Sequence, residues 1–295
     1  MSGVVLGFGP ESRSRSGLNL AARLARSTDD SLVLCCVVQD SYDTPTLRDG
    51  HDVGAEWRTY LTETAREAIA EARAELPDDV AVTEVVRSGR SVPAALAEEG
   101  ARRGADLLVV GSASVGSVGR ISLGSTSDRL VHSSQVPVAL APRGYPVGDR
   151  LTRIVLAVEP TRGDVALAPK VRALAERLGA EIEVVTFGVR PSRRSALGAL
   201  ADQGVYDAWR AQVRETHDEV RAALSSGDHP VPVSGAGLVT GERWSSALDG
   251  VEWADGDLLV VGSSRHSQVA SVFLGSTATR ILRHSPVPAV VLPRR

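Results

Sequence analysis

The chain has 295 residues, 43% of them hydrophobic and 23% charged, the balance of a globular protein and about the length of two domains of ~150 residues each. Thirty-three basic against thirty-six acidic side chains give a net charge of −3, with no Lys/Arg-rich block, which excludes a dedicated nucleic-acid binder. No apolar run approaches the ~20 residues that cross a bilayer, and the start Met1-Ser2-Gly3-Val4-Val5-Leu6 has no basic segment ahead of it, so no membrane association and a cytoplasmic location are expected.

In chain order, Val4–Gly9 reads as a short strand and Leu18–Arg26 as an Ala/Leu/Arg helix. Leu32–Val38 is apolar on both faces, as a central parallel strand requires. Its neighbours Cys35 and Cys36 point to opposite faces, where they serve as buried thiols and neither pair nor share a metal. Trp57, Leu61, Ala65, Ala68, Ile69, Ala72 and Leu76 follow helical spacing. Val80–Val86 is a third strand, and Ser91-Val92-Pro93 opens a helix with a cap and a first-turn proline. Leu107–Val110 and Val136–Leu140 are the fourth and fifth strands, with a helix over Ser125–Ser133 between them. Beyond the linker Arg143–Arg150, strands follow near Ile154–Val158, Ile182–Phe187, Val231–Leu238, Leu258–Val261 and Ala289–Leu292.

The chain repeats itself once. Asp106-Leu107-Leu108-Val109-Val110-Gly111-Ser112 returns as Asp257-Leu258-Leu259-Val260-Val261-Gly262-Ser263, and 17 of 37 positions are identical between 106–142 and 257–293. A duplicated domain follows, at 1–145 and 150–295. Strand–helix alternation with short connections makes each half an open five-stranded parallel sheet in an α/β fold, with ligands expected beyond the carboxyl ends of the strands. The two fifth strands are apolar and are expected to pair within an intramolecular pseudo-dimer, which would bury two sheet edges; further homodimerisation and an unidentified protein partner are also expected.

The segment after the fourth strand carries the most information about chemistry. Gly111-Ser112-Ala113-Ser114 leads to Gly124-Ser125-Thr126, and Gly262-Ser263-Ser264-Arg265 leads to Gly275-Ser276-Thr277. A glycine–hydroxyl pair opening a helix offers free N–H groups and the positive end of the dipole to a phosphate. Ser125 and Ser276 acting only as helix caps is a reading of equal weight.

Other chemistries find less support. Lys170 is the only lysine, and no Gly-Lys-Ser/Thr sequence exists, so a phosphate-binding loop of the P-loop kind is excluded and Schiff-base chemistry would rest on Lys170 alone. Gly7-Phe8-Gly9 follows a strand, but Ser12 stands where a dinucleotide fingerprint has its third glycine. The six histidines have no ligand spacing, and no Gly-x-Ser-x-Gly elbow is present. Arg190, Arg193 and Arg194 form a basic loop after the second strand of the second half.

At the glycine–hydroxyl segments the sequence resembles the universal stress protein family in its tandem two-domain form. Nucleotide-binding members carry Gly-x2-Gly-x9-Gly-[Ser/Thr] there, around the ribose and phosphates of ATP. The run Arg280-Ile281-Leu282-Arg283-His284-Ser285-Pro286-Val287-Pro288 is similar to the family's C-terminal signature. The resemblance implies two Rossmann-like, adenine nucleotide α-hydrolase-like domains. It implies candidate ligand contacts at Gly111, Ser114, Gly124, Ser125, Thr126 and, in the second half, Glu159, Gly262, Arg265, Gly275, Ser276 and Thr277. The motif's second glycine is replaced by Ser114 in one half and by Arg265 in the other, where a Cβ obstructs close approach. The family's Asp after the first strand is Gly9 in one half and Glu159 in the other.

A non-catalytic stress-response or regulatory protein is therefore the expected function, with no cofactor required and ATP, with or without Mg2+, bound weakly. An ATP-binding switch with slow hydrolysis is the alternative, and an enzyme using adenine nucleotides is the third reading, disfavoured because no general base, nucleophile or metal cluster is evident.

Overall fold

The structure is a computed structural model and describes residues 3–10, 15–39, 53–113, 115–160, 165–190, 196–226, 231–263 and 274–293. It divides into unit 1, Met1–Gly148, and unit 2, Asp149–Arg295. Unit 1 runs β1 (Val4–Phe8), α1 (Ser16–Thr28), β2 (Leu32–Gln39), α2 (Val53–Glu75), β3 (Val82–Gly89), α3 (Val92–Arg103), β4 (Leu107–Gly111), α4 (Ser125–Ser133) and β5 (Val138–Ala141). Its strands lie in the order β3-β2-β1-β4-β5, and the pairs β1/β2, β1/β4, β2/β3 and β4/β5 are all parallel.

Unit 2 follows the same plan: β6 (Arg153–Ala157), a 3-10 turn at Val165–Leu167, α5 (Ala168–Leu178), β7 (Glu181–Val189), α6 (Ala196–Ser225), β8 (Val233–Gly241), α7 (Trp244–Leu248), β9 (Asp257–Gly262), α8 (Ser276–His284) and β10 (Ala289–Leu292). Its order is β8-β7-β6-β9-β10, again with parallel pairs.

Both cores are centred on strands that are buried on both faces. Leu32, Leu34, Cys35 and Cys36 of β2, Leu108 and Val109 of β4, and Leu258, Leu259 and Val260 of β9 are fully buried. Each such side chain contributes about 1.5–3 kcal/mol relative to exposure. The Cys35 and Cys36 thiols are free and buried, and burial pushes them up to about 12 and about 11, which keeps them as inert core atoms. Gly104 and Gly179 end α3 and α5 in the left-handed region, at φ 61° and 63°, where a Cβ is strained.

The sequence misplaces some boundaries for local reasons. Strand β3 begins at Val82, not Val80, because Val80 closes the turn after α2 with its N–H on the Pro77 carbonyl. The fifth strand of the first half shifts similarly: the Ser134 hydroxyl accepts from Val136 N–H and donates to its carbonyl, so Val136 ends a turn and β5 starts at Val138. Ser285 and Val287 repeat that arrangement ahead of β10. Ser91 occupies the N-cap of α3, but its hydroxyl makes no capping bond.

Two polar tie-points distinguish the units. In unit 1, the buried Glu99 carboxylate gathers Arg87, Arg102 and Arg103. In unit 2, Arg153 bridges three strands at their amino ends, donating to Asp257 (2.9 Å) and Glu183 (2.8 Å). Unit 2 also buries His217 of α6, whose Nε2 lies 2.9 Å from Thr186 Oγ1, and that hydroxyl donates to the Val158 carbonyl at 3.0 Å. The hydroxyl's proton is therefore committed, and His217 Nε2–H is the donor.

Burial holds the pKa of His217 below its ordinary value; Arg221 adds to the shift and Asp218 opposes it. A histidine kept neutral by folding takes up a proton on unfolding, so its stabilisation is complete above the unfolded pKa of ~6.5 and is lost as pH falls toward the folded value. Denaturation of unit 2 followed from about pH 7.5 to about pH 5.5 should show a loss of stability that is smaller in His217→Leu. Equal losses in the two proteins would remove His217 from this role.

Candidate functional site

In unit 1 the chain leaves β1 toward β2 on one side and later returns to β4 on the other, so the connections at the carboxyl ends of β1 and β4 diverge. A cavity of about 950 Å³ opens there. Its floor is Phe8, Gly9 and Gly111 at the ends of β1 and β4, with Val38 and Gln39 at the end of β2. Helix α2 contributes Trp57, Tyr60, Leu61 and Thr64 to the lining, and the opening of α4 contributes Gly124–Ser127.

The floor depends on a close backbone approach. A Cβ on Gly17, in the first turn of α1, would lie 3.1 Å from the Gly111 nitrogen and 3.3 Å from its Cα. Gly17 thus lets α1 begin directly against the end of β4.

The loop from Gly111 to Gly124 is held by hydrogen bonds that sequence reasoning did not anticipate. Ser112 Oγ donates to the Ala141 carbonyl at 2.6 Å and accepts from Ser122 N–H at 3.1 Å. Ala113 N–H donates to the Ser122 carbonyl at 2.8 Å, and Gly119 N–H to the Arg143 carbonyl at 2.8 Å. The loop is thereby pinned to the end of β5 and the segment after it.

The opening of α4 corrects the assignment of its cap. Gly124 is the N-cap residue, and Ser125 is the first residue inside the helix. The capping hydroxyl belongs to Ser127, which accepts from Gly124 N–H at 2.8 Å and donates to the Gly124 carbonyl at 3.1 Å. Ser125 is exposed, and together with Thr126 it lines the cavity, where the first N–H groups of a helix have no partner within it. Asp128, also in the first turn, stabilises the helix dipole and opposes an anion at this position.

Of the other sequence candidates, Ser114 and Arg265 lie outside the described residues, as do Arg193 and Arg194. Gly262 ends β9, Gly275 is the N-cap of α8, and Ser276 and Thr277 are the helix's first two residues. Here Ala278 stands where α4 has Ser127, and Thr279 donates to the Gly275 carbonyl through Oγ1 at 3.0 Å. Ser276, like Ser125, is thus not the cap. Glu159 is exposed just beyond β6.

Arg190 is stacked over the Tyr206 ring at 3.6 Å, and Lys170 donates its Nζ to the Pro293 carbonyl. Trp57, whose spacing suggested a core position, is 41% exposed and stacks on Tyr60 with centroids 5.3 Å apart. A second recess, about 820 Å³ in unit 2, lies around Arg153 and Asp257 at the opposite, amino-terminal end of the strands. Among the described residues, no group of three or more His, Cys, Asp and Glu side chains could hold a metal, and no helix is long and apolar enough to cross a membrane.

The model of the universal stress protein family matches the chain twice, at residues 2–142 and 151–293. The chain belongs to the universal stress protein family. Universal stress proteins of Mycobacterium bovis and Mycobacterium tuberculosis are each 38% identical to it over 297 residues, covering 98% of this chain and 99% of theirs. A universal stress protein structure from Archaeoglobus fulgidus matches with a TM-score of 0.63 at 16% identity, over 99% of this chain and 98% of that one. A putative universal stress protein structure from Pseudomonas aeruginosa matches with a TM-score of 0.57 at 16% identity, over 98% and 92%. These structural likenesses show the fold, and the duplicated Rossmann-like architecture of the family is the one described above.

The division of labour at the head of α4 is directly testable. Ser127→Ala should destabilise unit 1 by about 1 kcal/mol, the cost of a lost cap, whereas Ser125→Ala should stay within about 0.5 kcal/mol of wild type. Denaturant titration of both variants checks this, and the reverse ranking would return the cap to Ser125.

Proposed function

We propose that this universal stress protein is a non-catalytic regulatory member of its family. In this reading unit 1 holds a small-molecule site at the carboxyl ends of β1, β2 and β4, and ATP is at best a weak ligand. The observation that carries the proposal is the chemistry of the cavity: the opening of α4 faces a space of about 950 Å³ whose described lining is apolar, aromatic, hydroxyl and amide in character. Water attack on a phosphate needs a base within hydrogen-bond reach. Among the described residues of this lining, the titratable side chains are Cys36, whose thiol burial pushes up to about 11, and the Tyr60 phenol. A buried thiol held protonated is not suited to that work near neutral pH.

The replacements read from the sequence support weak ATP binding. Gly9 supplies no carboxylate at the end of β1, and Glu159 is the counterpart in unit 2. Regulation would then be exerted through the protein's contacts, with ligand occupancy of unit 1 as the signal.

Protein purified, denatured and resolved by anion exchange should release no stoichiometric ATP or AMP. Calorimetry should give an ATP dissociation constant weaker than ~100 μM, with turnover below about one per minute. Stoichiometric co-purified ATP bound near ~1 μM would favour the ATP-switch reading, and faster turnover abolished by a substitution in 111–127 would favour the enzymatic one.

A further inference from the structure

Strand β8 ends the sheet of unit 2: among the described residues it pairs with β7 on one side and with no strand on the other. Its two faces are covered. Thr240 lies toward α6, since a Cβ on Gly188 would meet both Thr240 Cγ2 (3.3 Å) and the Trp209 ring (2.5 Å). Its neighbour Val239 lies on the other face, against Gly250 beyond α7. Helices α6 and α7 both pack on β7 and β8, so what β8 leaves to a partner is the backbone along its edge.

The pairing with β7 fixes which backbone groups those are. Arg190 N–H donates to the Gly241 carbonyl at 2.9 Å, and the pairing is parallel and in step from Glu183/Gly235 to Val189/Gly241. In a parallel ladder one residue directs both of its groups to the neighbouring strand and the next directs both away. Gly237, Val239 and Gly241 therefore face β7, and the N–H and C=O groups of Ala236, Leu238 and Thr240 face outward.

Nothing in the strand blunts this edge. Val233–Gly241 has no charged residue and no proline, the usual devices that keep an edge strand from pairing. Strand β3, at the edge of unit 1, has such a device. Leu32 N–H on the Ala81 carbonyl turns the groups of Glu84 outward, and Glu84 is exposed.

An unpaired backbone edge accepts an extended chain, and the register shows that β8 fits its own copy. In an antiparallel two-fold pair centred on Leu238, Leu238 stands opposite Leu238 and Ala236 opposite Thr240. All are hydrogen-bonded pairs, so every outward N–H and C=O from Ala236 to Thr240 finds a partner. With no charge on the strand, none meets its like across the axis. Pairing β8 with β3 of another copy would be head-to-tail and open-ended, and it would bring Glu84 to the junction. The two-fold pair uses the edge up and closes.

We propose that the chain self-associates through β8, in a two-fold antiparallel strand pair that joins unit 2 of one copy to unit 2 of another. Sedimentation equilibrium of the full chain between ~1 and ~100 μM should show the mass rising from that of one chain toward that of two and no further. Ala236→Pro removes an outward N–H and leaves the ladder to β7 intact. Because symmetry doubles the loss, it should weaken association about tenfold or more, with an unchanged denaturation midpoint. Leu238→Cys reads the same pair without a proline: facing Cα atoms ~5.5 Å apart suit a disulfide, so mild oxidation should link two chains, whereas Glu84→Cys should stay unlinked. The native Cys35 and Cys36 are buried and take no part.

A chain that stays monomeric throughout overturns self-pairing and leaves the edge to an extended segment of another protein. A dimer that Ala236→Pro does not weaken, or that Leu238→Cys does not link, forms through another surface and also overturns it. Growth beyond two chains contradicts the closed two-fold pair.

Discussion

The double pairing of β1 is the constraint from which the rest of unit 1 follows. Strand β1 is flanked by β2 and β4, with Val4 opposite both Leu32 and Leu107 and Leu6 opposite both Leu34 and Val109. A parallel strand needs a crossover, and crossovers of one hand on opposite sides of β1 carry the chain to opposite faces of the sheet. The connections therefore separate above the carboxyl ends of β1 and β4, and a crevice results whatever side chains later fill it. Gly17 and Gly111 then decide how close α1 comes to β4, and Ser112 decides where the loop to α4 is fastened. Ligand chemistry is added last, on a geometry that backbone pairing has already set.

Duplication preserved this geometry and changed its chemistry. The buried positions Ala65, Ile69, Ala72 and Leu76 of α2 share their spacing with Val213, His217, Val220 and Leu224 of α6. His217 thus stands where unit 1 has Ile69. Its partner Thr186 follows Val185, which is paired with Ala157, as Cys36 follows Cys35, which is paired with Gly7. The His217–Thr186 hydrogen bond of unit 2 thus falls at positions that unit 1 fills with the buried Ile69 and Cys36. The heads of α4 and α8 diverged too: the Ser127 cap has Ala278 as its counterpart, and the acidic Asp128 has Thr279.

Much of this was legible in the sequence because it rests on periodicity and repetition. The continuous apolar runs at Leu32–Val38 and Leu107–Val110 fixed two-faced burial, and the Gly124-Ser125-Thr126 repeat located the helix that faces the cavity. What escaped depends on local hydrogen bonding or on which side of a helix faces an opening. Ser127 looks no different from Ser125 until the N-cap is known to be Gly124. Val136 belongs to an apolar run, yet Ser134 holds it in a turn. Trp57 has the spacing of a core residue, but it lies in the part of α2 that lines the cavity and stays 41% exposed there.

The central proposal is that ligand occupancy belongs to unit 1, in the cavity lined by α2 and the opening of α4. Hydrogen–deuterium exchange with and without ATP at concentrations well above ~100 μM tests this directly. Protection should concentrate in the amides of 124–128 at the head of α4 and in the stretch of α2 around Trp57–Ala65, with the head of α8, 274–279, unchanged. Protection at 274–279 without change at 124–128 would place the site in unit 2 and contradict the account.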